Sequence, residues 1–210
     1  MSKPAGYYAE ARADLVAELP RPLGRVLDVG CGEGNVGRAL RAAGAAEVHG
    51  IEVMPAAAAQ ARESLDSVFA GTVEAALESD TLPDGFDTVC CYDVLEHLVD
   101  PAIVLRGLRA RTVTGGHLHI SIPNARHFSL VYDLVVRGTF GYAEYGHRDA
   151  THLHWVTRRD LVALVESTGW RVLRVAGDVA GGRNAQADRL TRGKAREFLA
   201  LQWRLLATTA

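Results

Sequence analysis

The sequence predicts an α/β chain built on an open, doubly wound and mostly parallel sheet. Short apolar runs alternate with helically spaced segments along most of the chain. A turn carrying three glycines joins the first run to a helix. The second run ends on an acid, Glu52. In a doubly wound sheet those two features together form a ligand-binding corner.

That corner spans Arg25 to Leu40. Val26-Leu27-Asp28-Val29 reads as a buried parallel strand, short, apolar and bounded by turn signals. Gly30, Gly32 and Gly34 follow at alternate positions, where they allow positive φ and close approach of a ligand to the backbone. Val36, Ala39, Leu40 and Ala43 then repeat at helical spacing. A tight strand–helix turn without a ligand is the bland reading, and three alternating glycines weigh against it. Gly32-x-Gly34-x-x-Gly37 also satisfies the dinucleotide fingerprint, with Glu52 near the place of its ribose acid, so a nicotinamide-dependent oxidoreductase is one reading of this stretch.

The remaining elements follow in order. Tyr8, Ala11, Leu15, Val16 and Leu19 predict a helix over 4–19, ended by Pro20 and Pro22. Residues 47–52 form the second strand, and a carboxylate at its end is suited to accept from both hydroxyls of an adenosine ribose. Pro55 opens an alanine-rich helix through Leu65; Val53 and Met54 precede it, placed to flank an adenine. Ser67–Ala70 is a third strand, 85–92 a fourth and 117–123 a fifth. His117, His119 and Ser121 share one face of the fifth, and a helix-covered face explains them better than a metal. Thr157 to Asp160 caps a helix over 161–167, Trp170 to Ala176 is a sixth strand, and 198–207 a final one. Residues 181–184 read as a flexible connection.

Composition sets limits. The 210 residues, 48% hydrophobic, suit one domain over 1–210. A net charge of −2 gives no global pull toward nucleic acid or anionic membranes. No apolar run approaches the ~18 residues a membrane span needs. The N-terminus lacks a signal-peptide core. Cys31, Cys90 and Cys91 are too few for a disulfide or zinc framework, so a reducing cytoplasm is the expected compartment.

Asp28-x-Gly30-x-Gly32-x-Gly34 at the end of the first strand resembles the class I S-adenosylmethionine-dependent methyltransferases. Asp93-Val-Leu-Glu96-His97-Leu-x-Asp100-Pro101, following a Phe86-Asp87 strand, makes the resemblance specific. It covers nearly the whole chain. The branch it most resembles is the small-molecule O-methyltransferases that include ubiquinone-pathway enzymes. It implies a Rossmann-like seven-stranded sheet with an antiparallel last strand, helices on both faces, and an insertion after strand five. Asp28, Gly30, Cys31, Gly32 and Gly34 would take the methionine end of S-adenosylmethionine, Glu52 the ribose, and Val53, Met54, Val73 and Glu74 the adenine, with Asp93 at the sheet edge. Family members often carry an acid where this chain has Thr72. Tyr7 and Tyr8 would lie on a helix covering the cofactor.

Residues 124–156 concentrate aromatics and histidines and read as a lid over the catalytic edge. His127, Tyr132, Tyr142, Tyr145, His147 and Trp155 are its candidate acceptor-lining residues. Asp149-Ala-Thr-His152-Leu-His154-Trp-Val-Thr resembles a family phrase with Arg at the place of His154. Methyl transfer from a sulfonium needs an in-line approach, and a hydroxyl acceptor needs a base. His97, His127, His147 and His152 are the candidates. His152 ranks first, with Asp149 to orient it, and His97 second. Asp93, Glu96 and His97 resemble a divalent-metal site of ubiquinone-pathway enzymes, for Mg²⁺ or a softer ion. A Glu-His pair that only caps a helix start is the competing reading. The expected function is methylation of a small-molecule hydroxyl. N-methylation and a catalytically silent cofactor-binding subunit are the alternatives, and oligomeric state is unread.

Overall fold

The computed structural model describes residues 12–144, 146–179 and 181–209. Tyr7, Tyr8 and Tyr145 lie outside them. Seven strands form one sheet: β1 (Arg25–Val29), β2 (Glu47–Glu52), β3 (Ser67–Ala70), β4 (Phe86–Tyr92), β5 (Thr112–Pro123), β6 (Arg171–Val179) and β7 (Ala200–Thr208). Their order is β3-β2-β1-β4-β5-β7-β6, with β7 antiparallel to both of its neighbours and the other pairs parallel. Since β5 and β6 both oppose β7, they run the same way. Their carboxyl ends therefore share one edge with those of β1, β2 and β4.

Period-two alternation divides the strands between two cores. Leu27, Val29, Val89, Cys91, Leu118, Ile120 and Ile122 face α4 (Val73–Glu78), α5 (Pro101–Ala110) and α7 (Arg158–Ser167). Val26, Val48, Cys90 and Tyr92 face α1 (Ala13–Val16), α2 (Asn35–Ala42) and α3 (Pro55–Ala61). Each face is covered by helices, as the near-continuous apolar strands require. His119 lies on the α1 side of β5, buried, with Nδ1 2.9 Å from the Tyr92 hydroxyl. No described helix is long and apolar enough to cross a membrane.

Several boundaries move. The alanine-rich helix stops at Ala61 rather than Leu65, and β5 begins at Thr112, ahead of the Gly115-Gly116 turn, through a register shift against β4. Residues 181–184, read as a flexible connection, include the start of α8 (Arg183–Leu190); α9 (Arg196–Leu199) follows, and the last strand starts at Ala200 rather than 198. Between β5 and α7, residues 124–156 carry α6 (Phe128–Val135) and a 3-10 turn over Gly146–Arg148.

Candidate active site

The carboxyl ends of β1 and β2 are joined at the glycine corner. The Gly30 and Cys31 amides both donate to the Ile51 carbonyl, at 2.8 and 3.0 Å. Glu52 continues the junction: Oε2 accepts from the Gly32 amide at 2.9 Å and Oε1 from the Met54 amide at 2.8 Å. A buried carboxylate fixed by two backbone donors keeps further lone pairs for a ligand. Gly30 and Gly34 hold φ of 72° and 81°, and their packing also demands glycine. A Cβ at Gly30 would meet Val94 Cγ2 at 2.7 Å, and one at Gly34 would meet Ser64 Oγ at 2.9 Å. The glycines thus serve close packing as well as any ligand.

Asp28 is buried beneath this corner, and among the described residues its Oδ2 has no hydrogen-bond partner. Burial, with the Glu52 charge adding to it, pushes its carboxyl up to about 7. Cys31 lies beside it, its thiol pushed up by burial. Val53 and Met54 are exposed at the end of β2. Thr72 caps α4, accepting from the Ala75 amide at 3.3 Å. Val73 and Glu74 are therefore the first residues of that helix, with Val73 buried.

At the end of β4 the backbone turns sharply. Asp93 has φ of 55°, unusual for a residue with a side chain. Its carboxylate accepts from Arg12 Nη1 at 3.0 Å and from Gln202 Nε2 at 2.6 Å. Arg12 also donates to Gln202 Oε1 at 2.8 Å and to Ser121 Oγ at 3.4 Å. Sequence reasoning missed Arg12 and Gln202 here; separations of 81 and 109 residues from Asp93 leave no local signal.

The following 3-10 turn, Leu95–His97, meets the insertion. The Glu96 carbonyl accepts from the Leu153 and His154 amides at 2.7 and 3.2 Å, while His154 Nε2 lies 2.9 Å from the Leu98 carbonyl oxygen. This brings three side chains together. His97 and His152 have ring centroids 4.8 Å apart, and His152 Nε2 is 4.0 Å from Glu96 Oε1. Glu96 and His152 are buried. One ligand atom from each of Glu96, His97 and His152 lies within 4.8 Å of the others. His97 Nδ1 is 3.2 Å from the Thr151 carbonyl oxygen; donation to it leaves Nε2 with its lone pair. Asp149 grips Thr151, accepting from its amide at 2.9 Å and its hydroxyl at 2.7 Å. The alternative metal set that the resemblance suggested, Asp93, Glu96 and His97, differs from this cluster. Asp93 is held by Arg12 and Gln202, and His152 stands in the cluster.

The other candidates fall into separate groups. His127 and His147 stack at 5.0 Å, and His147 Nε2 donates to the Leu201 carbonyl at 2.6 Å. Burial, then the neighbouring His147, lowers His127 to about 4. Tyr142 and Trp155 pack with Phe140, at 5.1 Å each, and Tyr142 and Tyr132 are exposed. Trp155 also borders an apolar groove of about 520 Å³ with Leu95, Pro101, Ile122 and Leu153.

A glycine corner clamped by a strand-end acid, in a sheet whose antiparallel seventh strand lies between strands five and six, defines a class I S-adenosylmethionine-dependent methyltransferase. Residues 4–175 match the family model described as a methyltransferase domain, and the chain belongs to that family. It is 36% identical over 136 residues to a ubiquinone biosynthesis O-methyltransferase of Ralstonia nicotianae, covering 58% of this chain and 56% of that protein. The chain thus spans little more than half the length of that relative. A protein of the same name from Pseudomonas fluorescens is 31% identical over 173 residues, 74% of each chain. In fold, the chain is similar to an S-adenosylmethionine-dependent methyltransferase from Mesorhizobium loti. That match has a TM-score of 0.66 and 19% identity over 95% of this chain and 98% of the other. The family sets aside the nicotinamide reading.

Proposed function

We propose that this protein methylates a hydroxyl of a small-molecule acceptor, with S-adenosylmethionine as donor and a histidine taking the proton. The observation that carries the reading is the cluster of Glu96, His97 and His152 at the carboxyl end of β4, beside the glycine corner. The names of the curated relatives support the O-directed form.

The donor supplies a methyl group already activated by its sulfonium. The protein's part is to hold the acceptor oxygen in line, exclude water and receive a proton. Asp28, Gly30, Cys31, Gly32 and Gly34 would hold the methionine end, Glu52 the ribose hydroxyls, and Val53 and Met54 the adenine. His152 takes the acceptor proton, and the Glu96 carboxylate, 4.0 Å from its Nε2, stabilises the resulting imidazolium. Asp149 acts through Thr151, which positions His97. We read 1–210 as one domain and 124–156 as its lid, with His127, His147 and Trp155 toward the acceptor.

The same cluster supports a second reading. Two imidazoles and a carboxylate fit a borderline divalent ion such as Zn²⁺ better than Mg²⁺, which prefers all-oxygen ligands. Such an ion would polarise an acceptor oxygen. Calorimetry with Zn²⁺, Mn²⁺ and Mg²⁺ on the parent and on His152→Ala tests it. Binding that disappears in the variant supports a metal; absence of binding leaves the cluster to acid–base work.

A methylation screen of phenols, catechols and amines with labelled donor tests the main reading. Label on oxygen is the expected result. Label only on nitrogen overturns the O-directed assignment, and cofactor binding without any product supports a silent subunit.

A further inference from the structure

The sheet ends on β6, and among the described residues nothing pairs with the outer edge of that strand. An edge strand offers a row of free amides and carbonyls to another strand, and proteins usually shorten or cover it. β3, at the other end of the sheet, is short, with four residues, whereas β6 has nine. The β6 edge is also open: a groove of about 380 Å³ runs between the strand and α7. Val172, Leu173 and Val175 line its strand side, and Leu173, 44% exposed, sits at a bulge.

The helix side of the groove carries Arg158, Arg159, Val162, Ala163 and Glu166, spaced i, i+1, i+4, i+5 and i+8, which is one face of α7. The charges on that face oppose the helix macrodipole, which favours acids in the first turn and bases in the last. Arg158 and Arg159 open the helix and Glu166 lies in its last turn. All three are exposed and form no ion pair with another described residue. α7 gains nothing from this placement, since Thr157 and Asp160 already cap it. β6 runs with the same polarity: Arg171, exposed, begins it and Asp178 lies near its end.

We propose that the β6–α7 edge is the interface of a symmetric dimer, in which β6 pairs antiparallel with β6 of a second copy of this chain. A two-fold axis reverses both elements, so Arg158 and Arg159 of each α7 meet Glu166 of the other. The register follows from the side-chain faces. Val172 and Val175 pack on the core beneath α7, and by alternation Arg171, Arg174, Ala176 and Asp178 lie on the opposite face. Residues directly opposite in a ladder share a face. With the axis at Val175, the middle of the strand, Arg174 stands opposite Ala176 of the copy. Counting Leu173 as the bulged extra residue, Arg171 then stands opposite Asp178 of the copy. Helix and strand thus both become charge-complementary under one axis. A foreign strand would need the same two charge patterns, whereas a second copy carries both. In the strand order β4 lies three places from β6, so the candidate site stays open, and the two copies' sites face opposite ways.

The test is sedimentation equilibrium of the full chain over a range of protein concentrations. It needs neither methyl donor nor acceptor, so its outcome is independent of the proposed reaction. The expected result is a reversible dimer, with amide exchange over 171–179 slowing as concentration rises. Arg158→Glu/Arg159→Glu and, separately, Glu166→Arg should each raise the dissociation constant at least about tenfold, since facing opposite charges become like charges at both ends. Both variants place charge in the sense the macrodipole favours, so the fold is kept and unfolding does not account for the loss. An equimolar mixture of the two restores opposite charges at both ends and should dimerise about as well as the parent. A parent that stays monomeric, variants that dimerise like the parent, or a mixture that stays monomeric each overturn the proposal. A dimer whose exchange over 171–179 is independent of concentration does so too, because its contact then lies elsewhere.

Discussion

Arg12 and Asp93 form an ion pair at 3.0 Å, and both hold left-handed backbone conformations, with φ of 39° and 55°. Such conformations cost of order 1–3 kcal/mol each and persist where surrounding contacts determine them. Here the contacts are Gln202 and Ser121, which receive or orient the same groups. The pair ties the entry to α1 to the ends of β4, β5 and β7. Arg12→Ala should lower stability by about 1.5–3 kcal/mol, the range for hydrogen bonds to charged groups, measured by urea unfolding. A change within error would mean that the pair is solvated and contributes little.

Glu52 joins two backbone amides and faces the proposed ribose position. Glu52→Ala should weaken binding of S-adenosylhomocysteine by about 1.5–3 kcal/mol. Glu52→Gln offers only one oxygen for the two amides and should fall between parent and alanine variant. Calorimetry on folded protein reads this directly, and an alanine variant that binds like the parent sinks the ribose assignment.

Asp28 gives a pH signature. Its folded-state value, raised to about 7 from an ordinary 3.8, means that the native state keeps a proton which the unfolded chain releases. Asp28 therefore makes stability fall as pH rises from about 4 to about 7, and flat beyond it. Asp28→Asn should remove that slope and be more stable than the parent at pH 8, by an amount on the order of a few kcal/mol. His127 acts in the opposite sense: lowered to about 4, it makes stability fall as pH drops from 6.5 toward 4. Chemical unfolding of Asp28→Asn and His127→Ala across pH 4–8 separates the two slopes.

What the sequence revealed follows from how local each signal is. The strand–glycine–helix corner and Glu52 lie within thirty residues, and period-two alternation in β5 correctly set His119 against Leu118 and Ile120. The Arg12–Asp93–Gln202 network was illegible because its members come from three distant elements. α8 stayed hidden because its face is mostly polar and only Asp188 is buried, which gives no apolar spacing to read. Tyr132 was expected in the acceptor pocket on composition; the helix phase, set by buried Leu130 and Asp133, turns it outward. The Glu96–His152 approach depends on the insertion folding back so that the Glu96 carbonyl receives Leu153 and His154, a contact no spacing encodes.

The base assignment makes the sharpest prediction. His152 is buried, with Nε2 4.0 Å from the Glu96 carboxylate, which would stabilise the charge it gains as the acceptor gives up a proton. His97 is oriented through Thr151 and is less buried, so its loss should disturb the cluster without removing the proton acceptor. A general base typically contributes ~10²–10⁴-fold to the rate. Once the screen yields an acceptor, His152→Ala should lower kcat by that factor with little change in S-adenosylhomocysteine affinity, and His97→Ala should cost less. Glu96→Gln should preserve shape while removing the charge beside His152, lowering kcat. If His97→Ala shows the larger loss, the roles are exchanged. Near-parental turnover by both variants across pH 6–9 would show that neither imidazole receives the proton.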